Sequence, residues 1–185
     1  RPALRPLRLR EEEVSAIPEI ETPRLRLRAP READFETAAA FLTGPRAIHM
    51  GGPFRPLDAW RLFASYVGGW RLQGFGYWSV DEAETGALAG AVGFIGSPPF
   101  PENELGWELY DGFESRGYAT EAARAARDWW FGSRGEATLV SYVNPENARS
   151  IRVAERLGAV RDPGAAGPDP EDLVFRHPWP AADAR

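Results

Sequence analysis

The sequence predicts an α/β (α+β) domain of about seven strands and about four helices, and three observations predict it. Apolar residues recur at helical spacing in four segments, and at alternate positions or in short apolar runs in the segments between them. Segments 75–82 and 87–97 are strand-like and are joined by the turn residues DEAETG, which makes them a hairpin. Glycine and proline punctuate the boundaries, at Pro30, through GPRAIHMGGPFRP, at Pro98, Pro99 and Pro101, and at Gly158. The resulting order is β-α-α-β-β-β-α-β-α-β-β.

Residues 1–19 are rich in Pro and Arg with a run of Glu, and read as an N-terminal arm or a helix packing outside the domain. The domain itself spans 20–178, and 179–185 is a C-terminal tail. Residues 23–28 alternate apolar and basic, the pattern of a half-solvated edge strand. A helix over 31–43 turns Phe35, Ala39 and Phe41 or Leu42 inward. Residues 44–56 form a loop. The helix over 57–72 carries Trp60, Phe63, Val67 and Trp70 or Arg71 on one side. After the hairpin come a strand over 103–110, a helix over 118–132, a strand over 137–143 and a helix over 146–157 that stops at Gly158, a C-terminal cap signal. PGAAGPDP is a loop, and 171–177 is a final strand.

Composition excludes several chemistries. The chain has 185 residues, enough for one domain, and its 43% hydrophobic and 12% aromatic content suits a packed core. There is no cysteine, hence no disulfide framework, thiolate metal site or Cys nucleophile. All 22 basic residues are Arg, so a Walker-type phosphate loop and a Schiff-base lysine are both excluded. The two histidines, His49 and His177, cannot make a metal site by themselves, and no metal is expected. No apolar run reaches the ~20 residues of a membrane span, and the first residues lack the apolar core of a secretory leader. A cytoplasmic protein, monomer or homodimer, without membrane or nucleic-acid partners, is expected; the net charge of −5 argues against nucleic acid.

Residues 114–132, ESRGYATEAARAARDWWFG, are the most informative stretch. A strand-like segment, ELGWELY, leads into a glycine turn and then a helix whose face is Ala122, Ala125, Ala126, Trp129 and Trp130. Strand, turn and helix N-terminus present free backbone N–H groups and a positive dipole end to an anion, and Arg116 adds a full charge. A phosphate or pyrophosphate ligand is implied. A second amphipathic helix follows in NPENARSIRVAERLG, residues 144–158, opened by Asn and closed by Gly.

In order and spacing these two segments resemble the acetyl-coenzyme A site of the GNAT N-acetyltransferases, and more narrowly the RimJ/RimL-type branch. That branch shows a TxRLxLR opening, an ELGYxL strand, a GYATEA loop and an NxxSxxVxExLG helix. The chain has TPRLRLR (22–28), ELGWEL (104–109), GYATEA (117–122) and NARSIRVAERLG (147–158). The resemblance covers roughly residues 20–178 and implies a mixed, twisted central sheet in which the strand before the glycine loop and the strand after it splay apart to admit the cofactor.

The resemblance also assigns roles. The pyrophosphate would rest on backbone N–H groups at Arg116, Gly117, Tyr118, Ala119 and Thr120. Glu114 departs from the family's Gln or Arg and is expected to point away. A bulge over Trp107–Tyr110 would hold the pantetheine and polarise the thioester carbonyl, with Leu109 and Tyr110 as cofactor contacts and the carbonyl donor near Leu109. Asn147 would bind the pantetheine arm, where a helix cap is the plainer reading, Ser150 would face the cofactor, and Asn144 would touch either substrate. Glu104 and Glu108 fall on one face of a strand and are the candidate bases for an acceptor amine. The family's Tyr that protonates the leaving thiolate is Ala154 here, leaving Ser150, Tyr142 or water in that role. Asp58, Glu102 and Glu104 are expected to collect at the cleft mouth. The expected activity is acetyl transfer from acetyl-CoA to a primary amine, on a small molecule or a protein N-terminus, by direct attack in a ternary complex. The alternative is a non-catalytic CoA-binding or sensing module on the same fold.

Overall fold

A computed structural model describes residues 17–180 apart from 97 and 99. The arm expected over 1–19 therefore lies outside the described residues as far as 16, and the tail does so from 181. Residues just after that boundary pack onto the domain: Ile17 joins the core, and Pro18 C=O accepts a hydrogen bond from Trp78 Nε1 at 2.6 Å.

The elements in chain order are β1 (Ile20–Glu21), β2 (Leu25–Arg28), α1 (Phe35–Leu42), α2 (Pro56–Gln73), β3 (Tyr77–Glu82), β4 (Leu88–Ile95), β5 (Glu104–Leu109), α3 (Tyr118–Arg134), β6 (Val140–Val143), α4 (Ala148–Arg156), β7 (Val160–Arg161) and β8 (Leu173–Arg176). Short 3-10 turns over Glu32–Asp34 and Pro45–Met50 precede α1 and follow it. The strands form one sheet in the order β1-β2-β3-β4-β5-β6-β8-β7. Every described pairing is antiparallel except β5 with β6, so the sheet is mixed as expected. Eight strands stand where about seven were expected; the added one, β1, has two residues and is too short to leave a periodicity.

Strand alternation sorts the core into two layers. Leu25, Leu27, Trp78, Val80, Val92, Phe94 and Leu105 face α3, where Ala122, Ala126 and Trp130 close over them. Tyr77, Ala91 and Tyr110 face α1 and α2, against Phe41, Leu42, Phe63 and Tyr66. α4 covers a smaller cluster with Val143, Ala159 and Phe175.

Two expectations need correction. β2 is not an edge strand: β1 and β3 flank it, and Arg28 is 5% exposed. Its guanidinium bonds Asp34 at 2.7 and 2.9 Å and Asp81 at 2.8 Å, so an apparent solvent position is a buried ion cluster. On α2 the buried stripe is Ala59, Phe63 and Tyr66, while Trp60 and Val67 are 40% and 41% exposed. The buried Tyr66 hydroxyl finds Glu108, which makes its side of the helix the inner one.

Candidate active site between β5 and β6

β5 and β6 are joined at one residue pair, Glu104 with Val140. Beyond it they diverge. Hydrogen bonds on both edges fix the phase of β5. Tyr110 N–H donates to Ala89 C=O on the β4 side at 2.9 Å, whereas Asn103 C=O accepts from Val140 N–H at 3.1 Å and Leu105 C=O from Ser141 Oγ at 2.6 Å on the β6 side. Alternation then turns the N–H groups of Trp107 and Leu109 toward β6, where no strand among the described residues pairs with them. The expected bulge is absent from this ladder. β4 and β5 stay in register from Gly90–Leu109 to Ile95–Glu104, and it is the divergence of β6 that frees these donors. Tyr110 offers no free donor on this edge. Its N–H is bound to Ala89, its C=O accepts from Phe113 N–H at 3.3 Å, and its hydroxyl donates to Glu108 on the opposite face of the sheet.

The turn after β5 delivers the helix end that the sequence implies. Gly117 caps α3 with φ 81°, a left-handed conformation natural to glycine, and no side chain caps the helix. Glu121 N–H closes the first helical bond, to Gly117 C=O at 3.1 Å, which leaves the N–H groups of Tyr118, Ala119 and Thr120 without partners among the described residues. Ser115 also has a positive φ, 64°, so two residues of this turn are bent to expose the helix end. Glu114 does turn away, accepting from Gly112 N–H at 2.8 Å and pairing with Arg46 at 2.8 Å. The side chain of Arg116 pairs with Glu82 at 3.0 Å, and Tyr118 Oη donates to the same carboxylate at 2.6 Å. The loop therefore offers mainly backbone donors. Sequence reasoning missed Arg24. Its Nη2 lies 3.5 Å from the point a Gly117 Cβ would occupy, and its Nη1 donates to Arg116 C=O at 2.9 Å. The available signal was its place in TPRLRLR.

Across the gap, Asn147 caps α4, its Oδ1 accepting from Ser150 N–H at 3.1 Å, so the plainer reading holds for that oxygen while its amide nitrogen has no partner among the described residues. Asn144 Oδ1 accepts from Glu146 N–H at 2.9 Å in the same way. The Ser150 hydroxyl is half-buried and has no partner among the described residues. Ala154 is fully buried and can supply no proton. Tyr142 Oη accepts from Glu102 N–H at 3.0 Å, which holds it at the start of β5.

Glu104, Gly106 and Glu108 share the face toward α1 and α2. Glu108 is 5% exposed, and both its oxygens accept phenol hydroxyls, from Tyr66 at 3.0 Å and Tyr110 at 3.1 Å. Burial pushes its carboxyl up to about 7, against the pull of those two hydroxyls. Glu104 is half-buried and is pushed further, to about 8, by desolvation and the neighbouring charge of Asp172, with the Tyr142 backbone N–H opposing. The expected acidic rim is different in fact. Asp58 is paired with Arg55 and Arg61, and Glu102 is clamped by Arg176 at 2.8 and 2.9 Å, so Asp172 is the carboxylate beside Glu104. A carboxyl that titrates close to neutrality in a cleft can take a proton from an amine.

Comparison with known proteins agrees with this geometry. The family described as acetyltransferase (GNAT) domain matches residues 24–160. A crystal structure of the acetyltransferase from Agrobacterium tumefaciens is 46% identical, with a TM-score of 0.86 over 89% of this chain and 96% of that one. A RimL ribosomal L7/L12 alpha-N-protein acetyltransferase, solved with coenzyme A, shares the fold at 14% identity, with a TM-score of 0.71 over 88% of this chain and 98% of that one. The Bacillus subtilis protein YkkB is 36% identical over 89 residues, 46% of this chain and 51% of YkkB, so the chain spans about half the length of that curated relative. Among the described residues no helix is long and apolar enough to cross a membrane.

Proposed function

The chain belongs to the GNAT acetyltransferase family, and from that premise we propose that it transfers an acetyl group from acetyl-CoA to a primary amine by direct attack in a ternary complex. The observation that carries this is the open edge of β5, which joins a helix N-terminus with free N–H groups at one end to an ionisable carboxyl in the cleft at the other. In this reading the pyrophosphate lies on the N–H groups of Tyr118, Ala119 and Thr120, beside Arg24 and Arg116. The pantetheine arm runs back along β5 past Leu109 and Asn147. Glu104 and Leu109 are five residues apart, ~17 Å at strand rise, too far for one reacting centre. Trp107 N–H is nearer to Glu104, so we assign it the thioester carbonyl and leave Leu109 N–H to the arm. A donor pre-placed in a dry cleft lowers the barrier by roughly 3–4 kcal/mol.

Glu104 is assigned as the base and Glu108 as its buried support. Ser150 faces the departing sulfur. The thiol of coenzyme A is itself a fair leaving group, so the lack of an acid at Ala154 is tolerable. We place the chain in the RimJ/RimL-like branch on its four motifs, with a small amine or a protein N-terminus as acceptor. The absence of a Tyr at Ala154 is the one feature that favours a non-catalytic CoA-binding module instead.

Two measurements test the proposal. Calorimetry should show micromolar binding of acetyl-CoA that is lost in Gly117→Glu, since a carboxylate would project toward the diphosphate and a side chain would strain the left-handed backbone. Thiol release should appear with primary amines or peptide N-termini and not with hydroxyl or nucleic-acid acceptors. Binding without release on any amine would favour the sensing module, and unchanged affinity in Gly117→Glu would remove the loop assignment.

A further inference from the structure

We propose that the hydroxyl of Tyr77 and the carboxyl of Glu104 together form the seat of the acceptor amine, and that this seat selects primary over secondary amines. The proposal rests on the acetyl-transfer reading above. Tyr77, Gly93 and Gly106 stand side by side on β3, β4 and β5. The two glycines leave a bare lane across the sheet. Tyr77 lies along it: a Cβ at Gly93 would overlap the Tyr77 backbone, and a Cβ at Gly106 would overlap the Tyr77 hydroxyl. The phenol oxygen is thereby delivered two strands away, over β5, at the position between Glu104 and Glu108. Each of those residues is ~7 Å along the strand from Gly106, within reach of a glutamate side chain. The ring of Tyr66, stacked on Tyr77 at 4.4 Å and 13°, fixes the direction.

The two neighbouring phenols are already committed. Tyr66 and Tyr110 both donate to Glu108, one to each oxygen. The Tyr77 hydroxyl has no partner among the described residues, and although the residue is only 8% exposed its oxygen is not one of the sealed-off unpaired atoms, so it opens to the cleft. A phenol left free and open to the cleft, beside two phenols already committed to Glu108, is placed to bond a ligand. Burial and the charges of Glu104 and Glu108 hold it well above the ordinary tyrosine range, so it remains a neutral hydroxyl throughout the working range. The next residue along β5, Trp107, carries the open N–H assigned to the thioester carbonyl.

A neutral primary amine has two N–H bonds and one lone pair. One N–H points to Glu104 and the other to the Tyr77 oxygen, which leaves the lone pair facing the thioester carbon. As the N–C bond forms and the C–S bond breaks, the proton on the Glu104 side passes to the carboxylate and the thiolate departs with coenzyme A. A secondary amine has a single N–H and leaves one acceptor unmatched, which a buried site penalises.

Thiol release would be measured with butylamine against N-methylbutylamine, and with an alanine-initiated peptide against its N-methylalanine counterpart. Tyr77→Phe should lower kcat/KM for the primary amines by roughly 10–100-fold, the loss of one buried hydrogen bond. It should leave acetyl-CoA affinity unchanged, so that a general loss of structure would be recognised. The preference for the primary member of each pair should shrink toward unity, which a purely structural role would not produce. Gly106→Ala should displace the hydroxyl and mimic Tyr77→Phe, yet add little in the Tyr77→Phe background. A Tyr77→Phe enzyme with full kcat/KM and undiminished preference overturns the seat and leaves acetyl transfer standing. A parent protein that acetylates neither primary amine overturns both.

Discussion

Arg24, at the approach to β2, grips Glu121 in the first turn of α3: its Nε donates to Oε2 at 2.7 Å and its backbone N–H to Oε1 at 3.0 Å. Thr22 Oγ1 adds a third bond to Oε1 at 2.6 Å. Desolvation works against the ionised carboxyl, yet the Thr22 hydroxyl and Arg24 hold it below the usual carboxylate range. Two segments that sit far apart in the chain, TPRL and GYATEA, are thus one structure, and the negative charge lies at the favourable end of the helix dipole. The clasp also orders the loop, because Arg24 reaches Arg116 C=O from the same position.

Glu121→Ala should therefore weaken acetyl-CoA binding without touching the ligand. Charge-assisted bonds of this kind contribute roughly 1–3 kcal/mol, so a loss of about 5–150-fold in affinity is expected, with a lower melting temperature. Calorimetry and thermal melts check it. A variant that melts earlier and binds as tightly as the parent would separate the clasp from the cofactor loop.

The two glutamates of β5 should respond differently to the same substitution. Glu104→Gln removes a carboxyl that is half-open to the cleft and should lower turnover by about 10²–10⁴-fold, with acetyl-CoA affinity preserved. Glu108→Gln should cost far less, since glutamine can still meet the hydroxyls of Tyr66 and Tyr110. The rate in the parent should rise with pH through about 8, where Glu104 ionises, and that limb should vanish in Glu104→Gln. The stability effect has the opposite sense. A carboxyl raised from 4.5 to about 8 binds its proton more tightly in the folded state. Its contribution is complete below about 4.5 and is lost as pH rises through 8. Glu104→Gln should then melt later than the parent at pH 9. Equal turnover for both variants and the parent across pH 6–9 would leave no base on this strand.

The order of elements and the glycine turn that opens α3 were legible because they rest on local chemistry, a glycine before a helix and apolar spacing along it. That Glu104 and Glu108 share a face also followed from alternation alone. What distinguishes their surroundings did not, because it depends on Tyr66 and Tyr110 closing over one and Asp172 approaching the other. The inner face of α2 was misread for a related reason. Trp60, Phe63, Val67 and Trp70 are as well spaced as the residues that are buried, and only the partner for a tyrosine hydroxyl decides between the two stripes. Arg28 read as solvated because no local pattern reports an ion partner 53 residues away. Tyr77 and Arg24 escape a local reading because the first reaches across two strands to β5 and the second reaches Glu121 and Arg116, more than ninety residues on in the chain.

The Arg28 cluster gives a stability prediction. Its guanidinium is 5% exposed and meets two carboxylates, of which Asp34 also accepts from Ser79 at 2.8 Å and from Arg31 N–H at 2.8 Å. Removing the cation leaves Asp34 and Asp81 facing each other in a buried site. Arg28→Ala should destabilise the fold by about 3–5 kcal/mol. Denaturant titration measures this, and Arg28→Lys should recover only part of it because an ammonium cannot match the fork geometry. A loss below about 1 kcal/mol in Arg28→Ala would mean that water replaces the guanidinium.

His177 should make the closed end of the β5–β6 gap sensitive to acid. The residue is 4% exposed, and Nε2 lies 2.9 Å from Ser141 Oγ. Ser141 donates its own proton to Leu105 C=O at 2.6 Å, so His177 must carry its proton on Nε2, and Nδ1 has no partner among the described residues. Burial, with the charge of Arg127, pulls the imidazole from 6.5 down to about 3. An unfolded chain therefore takes up a proton below about 6.5 that the folded one refuses. Stability is complete above that pH and declines as pH falls toward 3. Between pH 7.5 and pH 5 this one group should remove about 2 kcal/mol. His177→Gln can still donate to Ser141 and does not titrate, so it should lose correspondingly less over the same interval in urea titrations. Parallel losses in the two proteins would show that His177 is protonated in the native state and that the charge is accommodated where Ser141 and Leu105 meet.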